Sequence, residues 1–206
     1  MSIEIKKSIK PVLYKKALKI LERKVENLHN GIGKELIWFL EHESIFTSGI
    51  NFNEKDIIDS KIKIIKTNRG GKITWHGPGQ LICYFVIDLS KRNKDIRNFV
   101  IKIENSIIES LKELKISSFS DRKNIGIWIE NKNKIEKIAA IGIKVKKWIA
   151  FHGFSLNINN EMHEYEKIIP CGIKDRGVTS LNKIGQFKKE KIIQILKKNL
   201  IKNLNY

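Results

Sequence analysis

The chain has 206 residues, of which 40 are Lys or Arg and 22 are Asp or Glu, so its formal net charge is +18. A content of 41% apolar and 8% aromatic residues can build one sizeable core, which excludes wholesale disorder. The apolar runs fall short of the roughly 20 residues that cross a bilayer, and the N-terminal MSIEIKKSIK lacks the apolar stretch of a secretory signal. We therefore expect a globular, cytoplasmic protein with no membrane partner and with reduced cysteines.

The positive charge is carried mainly by lysines that are spread along the whole chain. A nucleic-acid-binding protein more often shows clustered arginines interleaved with aromatic residues. The charge therefore favours an acidic protein partner, or simple solubility, over a nucleic-acid partner.

Apolar periodicity predicts the order of the secondary-structure elements. No repeat, linker or break in composition divides the chain, so we predict a single domain over residues 1–206. The predicted elements are a helix over 11–30, a buried strand over 35–46 that leads into a turn at 47–49, strands over 62–67 and 80–89, a helix over 95–114, strands over 125–129, 137–146 and 148–158, and a helix over 188–200. Helices placed irregularly among hairpin-like strands predict an α+β domain, and the missing βαβ alternation disfavours a Rossmann dinucleotide site.

The connection over residues 69–79 contains four glycines together with Arg69 and His76. Glycines let the backbone approach a ligand closely and offer unobstructed N–H groups. A single Gly-Gly pair is more often a tight turn, but four glycines around two polar side chains favour a ligand-binding loop. The G-x-x-x-x-G-K-[ST] pattern is absent, so a phosphate site of that kind is not predicted.

His76 and His152 each stand between an aromatic residue and a glycine. An imidazole in such a place could shuttle a proton, although a lone histidine is more often a structural hydrogen-bonding residue, and both interpretations stay open. His152 is expected to share the face of its strand with Phe154, Leu156 and Ile158. No cluster of His, Cys or carboxylates has metal-ligand spacing, so we expect no metal.

The two cysteines have different surroundings. Cys83 lies between Ile82 and Tyr84 in a predicted strand, which is typical of a small buried apolar residue. Cys171 lies between Pro170 and a glycine, and such a bend can present the sulfur to a pocket. A nucleophilic thiolate also needs a nearby cation, and the pattern of lysines alone does not choose one.

Several segments together resemble the lipoyl(octanoyl) transferase family. They are RGGKITWHGPGQL from Arg69, KIAAIGIKV from Lys137, HGFSLN from His152, PCG around Cys171 and GVTSL over 177–181. Residues 41–49 and 126–128 are similar to two further segments of that family. The matches follow one another in order over residues 13–181.

The resemblance implies the biotin/lipoate protein ligase fold, a mixed β-sheet flanked by helices. It also implies transfer of octanoyl from octanoyl-acyl carrier protein to a lysine of a lipoyl domain, in 2-oxoacid dehydrogenases or the glycine cleavage H protein, without a cofactor. By the same resemblance Cys171 is the nucleophile, which becomes an acyl-thioester, and Lys137 lowers its pKa. The residues implied for the acyl site are Arg69, Gly70, Gly71, Lys72, Ile73, Thr74, Trp75, His76, Ala140, Ile141, Gly142, Gly153, Phe154 and Ser155.

The chain departs from the family pattern at two places. Glu43 and Ser44 stand where prolines are common, and Trp75 stands where Phe or Tyr is more usual. The second departure affects the expected acyl-chain preference.

Two other functions compete with this interpretation. An ATP-dependent lipoate or biotin ligase shares the Arg-Gly-Gly segment but does not rely on a Pro-Cys-Gly nucleophile. A basic nucleic-acid-binding module would need no reactive thiol, and its affinity would fall steeply with salt.

Overall fold

The computed structural model describes residues 3–131, 133–172 and 176–204, without the side chain of Cys171. Within these ranges the helices and strands follow one another irregularly. Their order is β1 (Ile3–Lys7), α1 (Tyr14–His29), β2 (Glu35–Leu40), β3 (Ile45–Ser48), β4 (Ile64–Lys66), β5 (Ile73–His76), β6 (Gln80–Asp88), α2 (Ile96–Glu113), β7 (Phe119–Ser120), β8 (Ile127–Asn131), β9 (Lys134–Lys146), β10 (Ile149–Asn157), β11 (Gly177–Val178) and α3 (Lys189–Leu204).

The described strands form two sheets. Eight of them build a mixed sheet in the order β1-β2-β6-β10-β9-β8-β7, with β11 paired to β9. The β1–β2 and β9–β11 pairs are parallel, and the others in this sheet are antiparallel. The remaining three form a small sheet in the order β4-β3-β5. The predicted α+β fold, a mixed sheet flanked by helices, is confirmed.

The large sheet is covered by helices on both faces. Successive side chains of β2 enter different cores, because neighbouring residues of a strand point to opposite faces. Leu36 and Trp38 pack with the apolar stripe of α1, whereas Ile37 and Phe39 belong to the core that contains the buried faces of α2 and α3. In the part of the chain that the structure describes, no helix has the length and hydropathy needed to span a membrane.

The prediction of one strand over 35–46 followed by a turn at 47–49 is wrong. The chain leaves the large sheet after Leu40 and enters the small sheet at Ile45. Polar contacts fix the break, since the Glu41 carboxylate accepts a hydrogen bond from the Gly79 amide at 3.0 Å and His42 Nδ1 bonds to the Val12 carbonyl at 2.6 Å. Thr47 and Ser48 are strand residues that pair with β5.

The glycine-rich connection is also more ordered than a loop, because it contains β5. The short strands β1, β7 and β11 were not predicted, since each has only two to five residues. The last two predicted strands, over 137–146 and 148–158, are expected to form a hairpin, and the antiparallel pairing of β9 with β10 confirms this.

His152 breaks the alternation of β10. Its φ of 69° lies in the left-handed region, which turns its side chain out of the expected pattern. The ring stacks on Phe151 at a centroid distance of 4.7 Å and meets Tyr84 edge-on, and both of these residues belong to the α1 side of the sheet. The prediction that it shares a face with Phe154, Leu156 and Ile158 is therefore wrong, because those residues lie in the opposite core.

Candidate active site

A cavity of about 510 Å³ lies where the small sheet faces β6, β9 and β10. This volume is within the usual range for small-molecule sites, about 300–1,000 Å³. Much of its wall is apolar, and the apolar residues that line it include Ile73, Ile82 and Ala140. The described residues predicted for the site that line it are Arg69, Gly70, Gly71, Lys72, Ile73, Thr74, His76, Lys137, Ala140, Ile141, Gly142, Gly153, Phe154 and Ser155.

Trp75 does not line this cavity. Alternation along β5 turns its side chain away from the side that Thr74 and His76 occupy. The indole packs edge-on against Tyr165 in a separate apolar cluster, and its N–H donates to the Ser44 hydroxyl at 2.9 Å. Trp75 therefore packs on the side of β5 that faces away from the cavity, unlike the other residues predicted for the acyl site.

Lys137 is buried in the cavity wall, with 5% of the residue exposed. Its ammonium donates to the Ile125 carbonyl at 3.2 Å and lies 4.6 Å from the centre of the Trp128 ring. Among the described residues no carboxylate forms an ion pair with it. A Cβ at residue 126, where Gly126 has φ of 141°, would come 2.9 Å from the Ala139 carbonyl oxygen and 3.0 Å from the Lys137 Cε, so the glycine leaves room for the backbone of β9 and for the lysine.

The Pro170–Gly172 segment forms one turn of 3₁₀-helix that carries Cys171. Two backbone hydrogen bonds hold this turn, from the Gly172 amide to Ile169 O at 3.0 Å and from the Ile169 amide to Asp56 O at 2.7 Å. Pro170 and Lys137 line the same small cavity of about 10 Å³, together with Thr74, Ala140 and Ser155. The turn therefore lies beside Lys137, while the Cys171 thiol itself is outside the described residues.

A buried polar network ties this region together. Gln80 Nε2 donates to Asn157 Oδ1 at 2.8 Å and to the Tyr165 hydroxyl at 2.7 Å. Asn157 Nδ2 donates to the Thr179 carbonyl at 3.0 Å. Because these residues come from β6, β10 and the segments on either side of the Pro170–Gly172 turn, the network fixes the turn relative to the large sheet.

Three buried histidines near the cavity are held neutral. Burial lowers the pKa of His42 to about 4, and burial together with the neighbouring His42 and Arg69 lowers the pKa of His76 to about 3. Burial, Arg69 and Lys144 lower the pKa of His152 to about 3. At neutral pH each of these imidazoles is therefore a hydrogen-bonding group without charge.

The hydrogen bonds of two histidines define their tautomers. His76 Nδ1 contacts Gln80 Oε1 at 2.7 Å, and since the Gln80 amide nitrogen is occupied as a donor, His76 Nδ1–H is the donor in this bond. His42 Nε2 accepts from the Tyr84 hydroxyl at 2.8 Å, because its Nδ1 donates to a carbonyl. His76 thus presents an unprotonated Nε2, whose low pKa makes it a weak base.

Arg69 is a buried cation whose partners are neutral. It donates to the Thr47 carbonyl and hydroxyl at 2.8 and 3.0 Å and to the Gly70 carbonyl at 3.0 Å. These bonds tie the glycine-rich loop to β3. The side chain thereby shapes the cavity wall and contributes positive charge to it.

Cys83 lies on β6 and is fully buried in the hydrophobic core. This burial raises the pKa of its thiol well above the usual value. It is therefore unsuited to act as a nucleophile. Within residues 3–131, 133–172 and 176–204, apart from the Cys171 side chain, no group of three or more His, Cys, Asp or Glu could hold a metal ion.

Sequence reasoning missed several residues that line the cavity: Tyr14, Asn51, Ile82, Tyr84, Ile96, Val100, Lys123, Asn124, Ile125, Ile143 and Val145. Most of them lie on helices or strands whose apolar pattern predicts core packing and does not separate a cavity wall from a core. Asn124 and Ile125 carried a usable signal, because they directly precede the 126–128 segment.

Comparison with known proteins identifies the family to which this chain is similar. A family model described as the lipoyl protein ligase A/B catalytic domain matches residues 14–201. The octanoyltransferase of Wolbachia pipientis subsp. Culex pipiens is 45% identical over 173 residues, which are 84% of this chain and 84% of that protein.

Two solved structures share the fold at low sequence identity. P. falciparum LipL1 in complex with lipoate superposes with a TM-score of 0.75 at 16% identity, over 98% of this chain and 62% of that one. A bipartite lipoate protein ligase from Thermoplasma acidophilum, described with its E2 lipoyl domain, gives 0.71 at 11% identity over 98% of this chain and 84% of that one. The chain therefore belongs to the octanoyltransferase family of enzymes and carries its lipoyl protein ligase A/B catalytic domain.

Proposed function

We propose that this enzyme moves an octanoyl group from octanoyl-acyl carrier protein to a lysine of a lipoyl domain, through a thioester on Cys171. The observation that carries the proposal is that the turn bearing Cys171 and the buried Lys137 border the same small cavity, which shares Lys137, Thr74, Ala140 and Ser155 with the larger cavity. The apolar walls of the larger cavity suit an aliphatic chain.

Lys137 is the group that would ionise the thiol. A buried ammonium without a carboxylate partner favours an anion beside it, because charges interact strongly in a region of low dielectric constant. The Cys171 thiolate would attack the thioester carbonyl and expel the carrier thiolate. That thiolate would take a proton from the Lys137 ammonium and leave as a thiol, so Lys137 becomes a neutral amine.

The second half of the reaction would restore both groups. The acceptor amine attacks the acyl-Cys171 thioester, the neutral Lys137 amine takes the proton, and the Cys171 thiolate leaves as the amide forms. His76 is a poor alternative base, because its pKa of about 3 makes it much weaker than a lysine amine. No ATP is needed, since the incoming thioester is already activated.

Relatives support the substrate and the acceptor. The Wolbachia protein is named for octanoyl transfer, and the Thermoplasma ligase is described with an E2 lipoyl domain. A lipoyl domain is therefore the acceptor that we propose, and the positive charge of this chain suits acidic partners. We also propose that the whole chain is one catalytic domain that acts in the cytoplasm.

The test is intact-mass analysis after incubation with octanoyl-acyl carrier protein, with and without an acceptor lipoyl domain. We expect one octanoyl adduct that disappears when the acceptor is added, in the absence of ATP. Cys171→Ala should abolish the adduct and the transfer, whereas the matched variant Cys83→Ala should keep both within a few-fold. An adduct on the Cys171→Ala protein, or turnover that requires ATP, would overturn the proposal.

A further inference from the structure

Lys72 crosses the turn that carries Cys171. Gly172 has φ of 68°, and a Cβ built on it would come 2.8 Å from the Lys72 Cδ and 3.0 Å from its Cε, with the Nζ closer still. The end of the Lys72 side chain, from Cδ to the ammonium, therefore lies over the Gly172 α-carbon. A glycine at residue 172 both adopts this backbone conformation and leaves room for the lysine.

The Asp56 carboxylate forms an ion pair with the Lys72 ammonium. The Lys72 ammonium lies 3.9 Å from Asp56 Oδ2, a buried oxygen that has no hydrogen-bond partner among the described residues. The backbone carbonyl of Asp56 also accepts the hydrogen bond from the Ile169 amide at 2.7 Å. Asp56 thus holds the turn at two points, through its main chain before Pro170 and through Lys72 at Gly172.

The turn consequently lies between two cations in different states. Lys137 borders it on the β9 side and pairs with no carboxylate among the residues that the structure describes, whereas Lys72 on the β5 side is offset by Asp56. The other charged or titratable groups that the structure describes near the turn are Tyr165, Arg176 and Glu136, whose carboxylate lies beside Gly177. Tyr165 is hydrogen-bonded to Gln80, and Arg176 is paired with Asp121 beyond the Trp128 ring.

We propose that the Lys72–Asp56 pair is a positioning element for the nucleophile, in which Lys72 holds the turn and Asp56 sets how much of the Lys72 charge acts on the Cys171 thiol. This proposal rests on the proposed role of Cys171. It gives Lys72 a task distinct from contact with the acyl chain, and it includes Asp56, which does not line the large cavity. Removing Lys72 should therefore make the Cys171 thiol harder to ionise, and removing Asp56 should make it easier to ionise.

The test measures the pH dependence of Cys171 alkylation by iodoacetamide, followed by intact mass, in the full chain. Lys72→Met removes the cation and leaves the Asp56 carboxylate near the turn, so the alkylation midpoint should rise by about one pH unit. Asp56→Asn leaves the Lys72 charge without its counter-ion, so the midpoint should fall. The double variant Lys72→Met/Asp56→Asn should return close to the wild-type midpoint, yet its acylation rate should fall about tenfold because the turn is no longer held.

Lys61→Met is the matched control, because it removes an exposed lysine from the same region of the chain. It should leave the midpoint and the acylation rate unchanged. Single variants that shift in the same direction would indicate a merely structural role, and midpoints that do not move would also overturn the proposal. In either case an octanoyl adduct on wild-type Cys171 would leave the proposed function standing, whereas a missing wild-type adduct would refute that function instead.

Discussion

Arg92 and Lys137 are both buried cations, and the protein stabilises them in opposite ways. Arg92 forms a two-pronged ion pair with Glu35, in which its Nη2 is 2.7 Å from Glu35 Oε2, and it also donates to the carbonyls of Asp88 and Leu204 at 3.0 Å. Among the described residues, Lys137 contacts the Ile125 carbonyl and the face of the Trp128 indole ring, and it pairs with no carboxylate. Arg69, another buried cation of the cavity wall, is likewise held by neutral oxygens.

The difference separates a charge that stabilises the fold from the charge that we propose acts on the nucleophile. The Arg92–Glu35 ion pair links β2, the end of β6 and the end of α3. Because its two charges are opposite and adjacent, their electric fields cancel at a short distance. A cation without a carboxylate is costly to bury, and its field remains available to an anion that enters the site. The two arrangements predict opposite effects of mutation on stability and on activity.

The largest expected effect on activity is that of Lys137→Ala. Without the ammonium the Cys171 thiol should titrate near its ordinary pKa, and octanoyl transfer should fall by about 10²–10⁴-fold, since both the thiolate and the proton acceptor are lost. The free energy of unfolding should change by less than about 1 kcal/mol or increase, because a buried charge without a counter-ion is removed. Transfer assays, iodoacetamide titration and urea unfolding of the same preparation measure these three quantities.

Lys137→Arg sharpens this result. The guanidinium keeps the charge but does not accept a proton at neutral pH, so the alkylation midpoint should stay low while the amine-transfer step slows. An unchanged alkylation profile in folded Lys137→Ala would mean that another cation ionises the thiol.

Arg92→Met should show the reverse pattern. The substitution leaves the Glu35 carboxylate buried and unpaired, which typically costs about 3–5 kcal/mol. Activity per folded molecule should remain close to wild type, since Arg92 does not line the cavity. Urea unfolding combined with the transfer assay tests this, and the double variant Arg92→Met/Glu35→Leu should recover most of the lost stability. A double variant less stable than Arg92→Met would contradict the assignment of the cost to an unpaired charge.

These two cations also show which features can be predicted from the sequence and which cannot. The family resemblance singles out Lys137 and Cys171 because each sits in a short motif, and the helices were predicted because their periodicity is local. Arg92 and Glu35 are 57 residues apart, and nothing in either local sequence predicts their contact. The same holds for Lys72 with Asp56 and for the break between β2 and β3, which depends on contacts with residues 12, 79 and 189.

A smaller effect, on the pH dependence of stability, is expected from the buried histidines, which are uncharged in the folded protein at neutral pH. The pKa values of His42, His76 and His152 are lowered to about 4, 3 and 3 in the folded protein, so below about pH 6.5 the unfolded chain binds protons that the folded protein does not. Stability should therefore be full above pH 6.5 and decline as the pH falls towards 4, by up to about 1.4 kcal/mol per pH unit for each histidine. Unfolding midpoints measured from pH 7.5 to 4.5 give this slope.

His152→Asn should make this decline shallower by about the contribution of one proton. Equal slopes for His152→Asn and wild type would mean that His152 is protonated in the folded protein.

The smallest expected effect concerns the exposed charge at the cavity mouth. Lys123 lines the cavity and is exposed, and with the net charge of +18 it should steer acidic partners towards the site. Electrostatic steering changes the rate at which the two proteins meet, and salt screens it beyond about 8 Å at physiological ionic strength. The kcat/KM for the acyl carrier should therefore fall a few-fold from low to physiological salt, while kcat hardly changes.

Lys123→Glu should lower kcat/KM at low salt more than Lys197→Glu, which makes the same charge change on the exposed side of α3. Equal losses in the two variants would show that the net charge acts without direction, and a flat salt response would show that encounter does not depend on it.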